Sequence, residues 1–582
     1  MCVFKENYIM KKIIDLLTEE MEGAFTGAGF DGKYGRVSVS NRPDLCQFQC
    51  NGAMAAAKEY KQAPIAIAEA VVSGLASSGI FDSVEAVKPG FINLNIRDEF
   101  LRDYIEEMAA AERYGIGEPE KKQTIVVDYG GPNVAKPLHI GHLRAAIIGE
   151  SVKRIGAYMG HDMLGDIHLG DWGLQMGLII AQMKTEGLGM PTISELERIY
   201  PEASARSEKD EDFKKLAMDI TYELQHGNEE YLAIWKHIME ISVEDLKKNY
   251  EKLDVSFEIW KGESDADPYI APMVERLKKE GFAYESQGAL VVDVSEESDA
   301  KEIPPCMILK SDGASLYTTT DLATLVQREE DYKPDQVIYV VDKRQELHFR
   351  QVFRCAKKTG IVPETTQLSF LGFGTMNGPD GKPFKTREGG VMKLESLLDE
   401  VYEKCYERMC ENGADMPDGE RKDTASKIAL AAIKYGDLSN QASKDYIFDI
   451  DKFTSFEGNT GPYILYTIVR IKSILRKYTA GGGSLEDVHF IKSSNSSERD
   501  LALLLTGFQA TMESAFNDIA PHKICAYIYE VADAFNHFYH ETMIISEENE
   551  EQKKSYIALL LLTKGVLEAA IGVLGFEAPD MM

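Results

Sequence analysis

The sequence predicts a multidomain α/β chain, with a doubly wound parallel sheet at its centre, a smaller α/β domain before it and an all-α helical bundle after it. Three observations predict this. Short β-branched runs alternate with helical patterns between about residues 120 and 400, which is the signature of a Rossmann-like parallel sheet. Residues 1–119 mix helix periodicity with strand-length pieces. From about Glu420 to the end, strand signal almost vanishes and helix patterns dominate. At 582 residues the chain exceeds what one core supports, since single cores rarely pass about 250–300 residues.

The elements follow in order. Ile9, Ile13, Leu16, Leu17 and Met21 recur at helical spacing, and a second helical run is read over Met54 to Leu75. Arg36 to Ser40 and Phe91 to Ile96 read as strands. Thr124 to Asp128 is a buried-strand candidate, ended by Gly130-Gly131-Pro132. A helix is expected from about His142 to Tyr158, with Gly160 as its stop. Gly288 to Val294, Gln336 to Val341 and Gln367 to Phe373 are further strand candidates for the central sheet. The polar helical span of about 190–265, centred on Ser194 to Leu253, reads as an insertion into that sheet. The third domain is set at 420–582, broken by Gly481-Gly482-Gly483 and by the Ser493 to Ser497 loop.

Composition narrows the function classes. The most apolar stretch, Ile557 to Leu574, carries Lys564 and Glu568, which argues against a membrane span. Met1 to Lys12 has no apolar block with a cleavage site, so the protein is expected to be cytoplasmic. Eight scattered cysteines read as reduced thiols; Cys46/Cys50 would need two more ligands to hold a metal, and none is expected. A net charge of −31 excludes a generic nucleic-acid coat. One window runs against it: Arg421 to Ala480 has ten basic and six acidic residues.

The strand ending at Asp128 feeds Pro132-Asn-Val-Ala-Lys-Pro-Leu-His139-Ile-Gly-His142, and a helix follows. At such a turn, free backbone N–H groups and the helix dipole favour phosphate. Gly141 leaves room for a nucleotide, two histidines three apart offer donors, and Lys136 adds a positive charge. H-x-G-H arises by chance about 0.02 times at this composition, so the string alone is suggestive, and a capping turn with two surface histidines is the bland alternative. Its place between strand and helix favours the phosphate reading.

The segment resembles the HIGH motif of class I aminoacyl-tRNA synthetases. From Asp128 to Arg144 it is similar to the arginyl-tRNA synthetases in particular, apart from Gly130-Gly131 where that family often has two serines. The resemblance continues through Gly170-Asp171-Trp172-Gly173-Leu-Gln175, although Trp172 also fits a plain packing role. It implies a site. His139, His142, Lys136, Lys382 and Lys385 would carry the chemistry, and Pro132, Asn133, Gly141 and His348 would join His139, His142 and Lys382 in holding ATP with Mg2+. Arginine would be read by Asp128, Asn133, Tyr317, Asp321 and Gln345. Tyr317 and Asp321 are four apart and share a helix face. Carboxylates and oriented polar groups suit a guanidinium fork, although Asp321 also fits a solvated helix carboxylate. The lysine loop Gly381-Lys382-Pro-Phe-Lys385-Thr-Arg387 is a degenerate KMSKS segment, or a charged turn.

The family also implies tRNA(Arg) as partner, a monomer and tRNA-dependent activation. Asn51 in the first domain, with Tyr463, Tyr466, Arg470, Lys472 and Arg476 in the third, would touch tRNA, although core packing competes for each aromatic. Near Ser555-Tyr-Ile the chain departs from the family's usual Arg-Leu pair.

Overall fold

The structure is a computed structural model, and it describes residues 10–382, 392–411 and 416–582. Its centre is a five-stranded, wholly parallel sheet of β1 (Thr124–Gly130), β2 (Asp162–Leu169), β3 (Ile259–Gly262), β4 (Gln336–Asp342) and β5 (Gln367–Phe373). The strand order is β5-β4-β1-β2-β3. The chain moves outward from β1 to β3, then returns to the other side of β1. That reversal opens a crevice between the carboxyl ends of β1 and β4, the place where doubly wound sheets bind ligands. β1 forms because Ile125, Val126 and Val127 are all fully buried, as a strand covered on both faces demands.

Helices supply the cover. α1 (Ile140–Tyr158) follows β1 and ends near Gly160, whose φ of +92° suits a glycine. The insertion is three helices, α2 (Ile193–Ser207), α3 (Glu211–Gln225) and α4 (Glu229–Lys252). α5 (Tyr317–Asp331) precedes β4, and α6 (Glu346–Lys358) joins β4 to β5. Beyond the sheet come α7 (Asp418–Leu438), α8 (Gly461–Ala480), α9 (His522–Glu541) and α10 (Glu550–Leu574). α10 is long and apolar enough to cross a membrane, but 67% of that window is buried inside the bundle, which makes it a core helix. The N-terminal strands Val37–Val39, Phe48–Cys50, Phe81–Val87 and Phe91–Ile96 make an antiparallel sheet backed by the helix Ile13–Gly27. Cys46 and Cys50 there contact different partners, Ser40 and Tyr34.

Three expectations are corrected. Gly288 to Val294 is a strand (Ala289–Val292) but lies outside the central sheet, paired antiparallel with Ala283–Ser286 and Cys306–Leu309. Gln287 and Gly288 both have positive φ, +50° and +84°, and a two-residue turn of that kind joins only antiparallel neighbours. The Met54 to Leu75 run is two helices, Gly52–Tyr60 and Pro64–Gly74, parted at Lys61 (φ 51°) and restarted by Pro64 in the first turn. The third region does contain a strand: Tyr446–Ile447 pairs in parallel with Met376–Asn377, just past β5. Two residues are too few to leave a periodic signal.

Candidate active site

A cavity of about 510 Å3 opens over the crevice. Eight of the residues singled out from sequence line it: Asp128, Asn133, Gly141, His142, Tyr317, Asp321, Gln345 and His348. They come from the ends of β1 and β4 and the first turns of α1, α5 and α6. Tyr317 and Asp321 do face it together, with Tyr317 78% exposed at the start of α5.

The histidine turn is ordered by its own backbone. The Gly141 N–H donates to His139 Nδ1 (3.0 Å) and the His139 N–H donates to His142 Nδ1 (3.1 Å). With Nδ1 accepting, the proton of each neutral ring sits on Nε2, so both rings are donors at their outer edge. The rings stack with centroids 3.9 Å apart. Partial burial, then the neighbouring His139, lowers His142 to about 3; burial, then Lys136, lowers His139 as well. Both are therefore neutral at physiological pH. A Cβ on Gly141 would meet His139 Cε1 at 2.7 Å, so this glycine seats a ring as well as leaving room for a ligand. Gly170 does the same for Asn133, whose Oδ1 lies 2.2 Å from where a Cβ would be. The turn is tied to the insertion by Ala135 N–H donating to Ser242 Oγ (3.1 Å).

The opposite wall is acidic. Asp128 is bound from below by the buried Arg328 (2.6 Å), which also donates to Asp166 (2.9 Å) and to the Tyr339 hydroxyl (3.0 Å). Burial works against the charge on Arg328, but the Asp166 and Asp128 carboxylates beside it hold it well above its usual range, while burial raises both of those carboxyls. Asp321 Oδ2 is 2.5 Å from His348 Nε2. Glu263, at the N-terminus of the helix after β3, also lines the cavity. Burial, then Asp171 and Asp321, raises its carboxyl to about 7. Asp171, held by Ser264, is raised to about 6, mainly by burial. Sequence reasoning missed Glu263 and Arg328. Neither belongs to a motif string, and only folding brings them under the crevice.

Three family models match consecutive stretches: "Arginyl tRNA synthetase N terminal domain" over 11–96, "tRNA synthetases class I (R), catalytic domain" over 105–450, and "DALR anticodon binding domain" over 464–582. A protein of Agathobacter rectalis named arginine–tRNA ligase is 60% identical, the match covering 98% of this chain and all of that one. The chain belongs to the arginyl-tRNA synthetase family. A second relative of the same name, from Alkaliphilus oremlandii, is 53% identical over 98% of this chain and all of its own. Among solved structures, arginyl-tRNA synthetase from Plasmodium falciparum superposes with a TM-score of 0.82 at 25% identity, covering 99% of this chain and all of that one. The Thermus thermophilus enzyme gives 0.81 at 22% identity, with coverage of 98% and 100%, a likeness of fold.

Several residues that the family resemblance drew to the site stand elsewhere. The Lys136 ammonium lies 4.2 Å from the centre of the Tyr200 ring on α2, outside the cavity lining. Pro132 is buried, and its carbonyl accepts from the Gly170 N–H (3.1 Å). Lys382 closes a tight turn with Gly378 and Asp380 and is exposed outside the lining. Lys385 and Arg387 lie outside the described residues. Trp172 packs edge-on against Trp235 of α4, as its bland reading has it.

On α8, Arg470 lies between the exposed rings of Tyr466 (4.7 Å) and Tyr539 (5.0 Å) and donates to Asn536 (2.6 Å), which in turn donates to Tyr463 (2.8 Å). Lys472 and Arg476 point the other way. Lys472 donates to the carbonyls of Ala578 and Pro579 and to Asp580, and Arg476 donates to the Asp580 carbonyl (3.0 Å). Both hold the chain's own last residues. Asn51 is exposed beside the N-terminal sheet. Ser555 is buried and accepts from the Ile491 N–H (3.1 Å).

Proposed function

We propose that the chain ligates L-arginine to tRNA(Arg) through an arginyl-adenylate, releasing AMP and pyrophosphate. The observation that carries this is the placing of His142, an Nε2–H donor at the start of α1, opposite the Asp128, Asp321 and Glu263 carboxylates across one cavity, with His139 stacked on it and exposed outside the lining. The arginine carboxylate attacks the α-phosphate of ATP in line. Positioning and electrostatics supply the rate, so no general base is needed. His139, His142 and the positive end of the α1 dipole stabilise charge growing on the transferring phosphate. Mg2+ travels with the nucleotide phosphates as part of the substrate. Lys382 and Lys385 supply positive charge for the leaving pyrophosphate, and Lys136, over the Tyr200 ring, adds to it.

The guanidinium meets Asp321, Glu263 and the free oxygen of Asp128, with Tyr317, Asn133 and Gln345 as neutral partners. Asp128 is shared, since Arg328 already occupies its other oxygen. Lysine would leave fork acceptors unpaired, at a cost of about 1–3 kcal/mol each. His348 links the arginine side, through Asp321, to the nucleotide side. The stretches 1–119, 120–400 and 420–582 divide the work between outer tRNA contact, chemistry and anticodon contact. Asn51 serves the first; Tyr463, Tyr466 and Arg470 serve the last. Lys472 and Arg476 shape that surface by anchoring 578–580. Activation depends on bound tRNA. The enzyme acts as a cytoplasmic monomer.

ATP–pyrophosphate exchange with each amino acid, with and without tRNA, tests this. Exchange with arginine only, and only when tRNA is present, is expected. Exchange driven by lysine or glutamine but not arginine would overturn the specificity, and full arginine exchange without tRNA would overturn the dependence.

A further inference from the structure

Arg144 lies two residues beyond His142 on α1. Two residues turn a helix by about 200°, so His142 faces the cavity while Arg144 faces away, toward the C-terminal helices. Its side chain is only 2% exposed and pairs with Asp437 of α7, itself 1% exposed, at 2.9 Å. The same guanidinium donates to the carbonyls of Gly374 (2.7 Å) and Lys444 (3.1 Å) and sits 5.0 Å from the centre of the Tyr446 ring. Tyr446 in turn donates to Asp437 (2.8 Å). One side chain thus joins the phosphate-turn helix, the exit of β5 and the segment that leads into the helical bundle.

The joint is wider than this pair. Asp445 accepts from the Thr375 N–H (2.7 Å) and from Lys343 (2.8 Å), the residue two before Gln345. One turn before Asp437 on α7, the buried Lys434 donates to the carbonyls of Asp254, just past α4, and of Gly575, at the end of α10. Three parts of the molecule therefore meet on one face of α7. The pair is also a poor stabiliser. Arg144 Nη2 and Asp437 Oδ1 are buried without a hydrogen-bond partner, and a half-satisfied buried ion pair contributes little to stability compared with an apolar core. Fixing one arrangement is the best-attested use of such pairs.

We infer that Arg144 is a positioning residue: through Asp437 it lets the C-terminal helical bundle set the place of the His139–His142 turn, so that tRNA engaged on the bundle is felt at the phosphate site. This rests on the tRNA-dependent activation proposed above. The coupling runs through directly bonded groups, and its expected size is that of ordinary coupling between sites, about fivefold to 150-fold in rate.

Two variants of the full chain test it. Arg144→Lys keeps the charge and loses the fork; Asp445→Asn changes a half-exposed group and removes its charge. The readouts are the kcat of arginine-dependent ATP–pyrophosphate exchange at saturating tRNA, the arginine KM, the tRNA Kd by filter binding and the thermal midpoint. Arg144→Lys is expected to lose at least about tenfold in kcat and Asp445→Asn about fivefold, with arginine KM and tRNA Kd within about twofold of the parent. Should Arg144→Lys fail to fold, Asp445→Asn decides alone. Folded variants that exchange at the parent rate, or that lose rate only in step with weaker tRNA binding, overturn the coupling. A parent enzyme that exchanges fully without tRNA overturns the underlying dependence instead, so the two failures are distinguishable.

Discussion

The crevice and the α8 surface were both read from short strings of residues, and they came out differently. At the crevice, Asp128, Asn133, Gly141, His142, Tyr317, Asp321, Gln345 and His348 converge on one cavity. On α8, four cations within eight residues are one stripe in the sequence, yet Lys472 and Arg476 turn back to bind 578–580 while Arg470 stays with the exposed tyrosines. A strand–turn–helix junction fixes where its side chains point, because the backbone is bonded on both sides. A cation on an amphipathic helix takes whichever acceptor lies nearest, and nothing local says whether that acceptor is RNA or the protein's own carbonyls.

The comparison can be broken most sharply at Asp321. Asp321→Ala removes a fork acceptor and the partner of His348, and is expected to raise the arginine KM about a hundredfold or more or to abolish exchange, with tRNA binding unchanged in a filter assay. Retention of the parent KM would remove it from the pocket. Gly141→Ala comes next. Its Cβ enters the space of the His139 ring, at 2.7 Å from Cε1. A displaced Nε2 donor costs about tenfold to a hundredfold in kcat, with arginine KM and thermal midpoint little changed.

The pH profile sharpens the acidic wall. The Glu263 carboxyl is raised to about 7, so it is largely protonated at pH 6 and ionised at pH 8. Only the ionised form attracts a guanidinium, so arginine KM should fall as pH rises through 7. Glu263→Gln should flatten that slope and keep KM high at pH 8. The smallest effects separate the two halves of α8: Arg470→Ala should weaken tRNA binding about fivefold, and Lys472→Ala should leave it within about twofold. Equal losses would restore Lys472 to the RNA surface.

Much of the fold was legible because it rests on burial. Ile125 to Val127, the Gln367–Phe373 strand and the helix ending near Gly160 follow from apolar runs and a glycine stop. The β3 strand was missed, since four residues at a sheet edge leave almost no pattern. The hairpin that takes Ala289–Val292 out of the central sheet is written in Gln287-Gly288, whose positive φ values show only in the folded backbone. The site was legible where the motif lies next to a strand end. Arg328 was not, because its partners Asp128 and Asp166 are 200 and 162 residues away and meet it only across two neighbouring strands. Lys136 was read by its charge alone, and the Tyr200 ring that captures it belongs to the insertion.

The central claim is that carboxylates gathered on β1, on α5 and at the start of the helix after β3 read a charged, forked side chain. Citrulline tests it most directly, since it matches arginine in shape but carries a neutral ureido group. Charging of tRNA(Arg) should be measured with arginine and with citrulline side by side. The account predicts that kcat/KM for citrulline falls at least about a thousandfold below that for arginine, because the buried acids lose their counter-charge and their donors together. Citrulline charged within tenfold of arginine would contradict it.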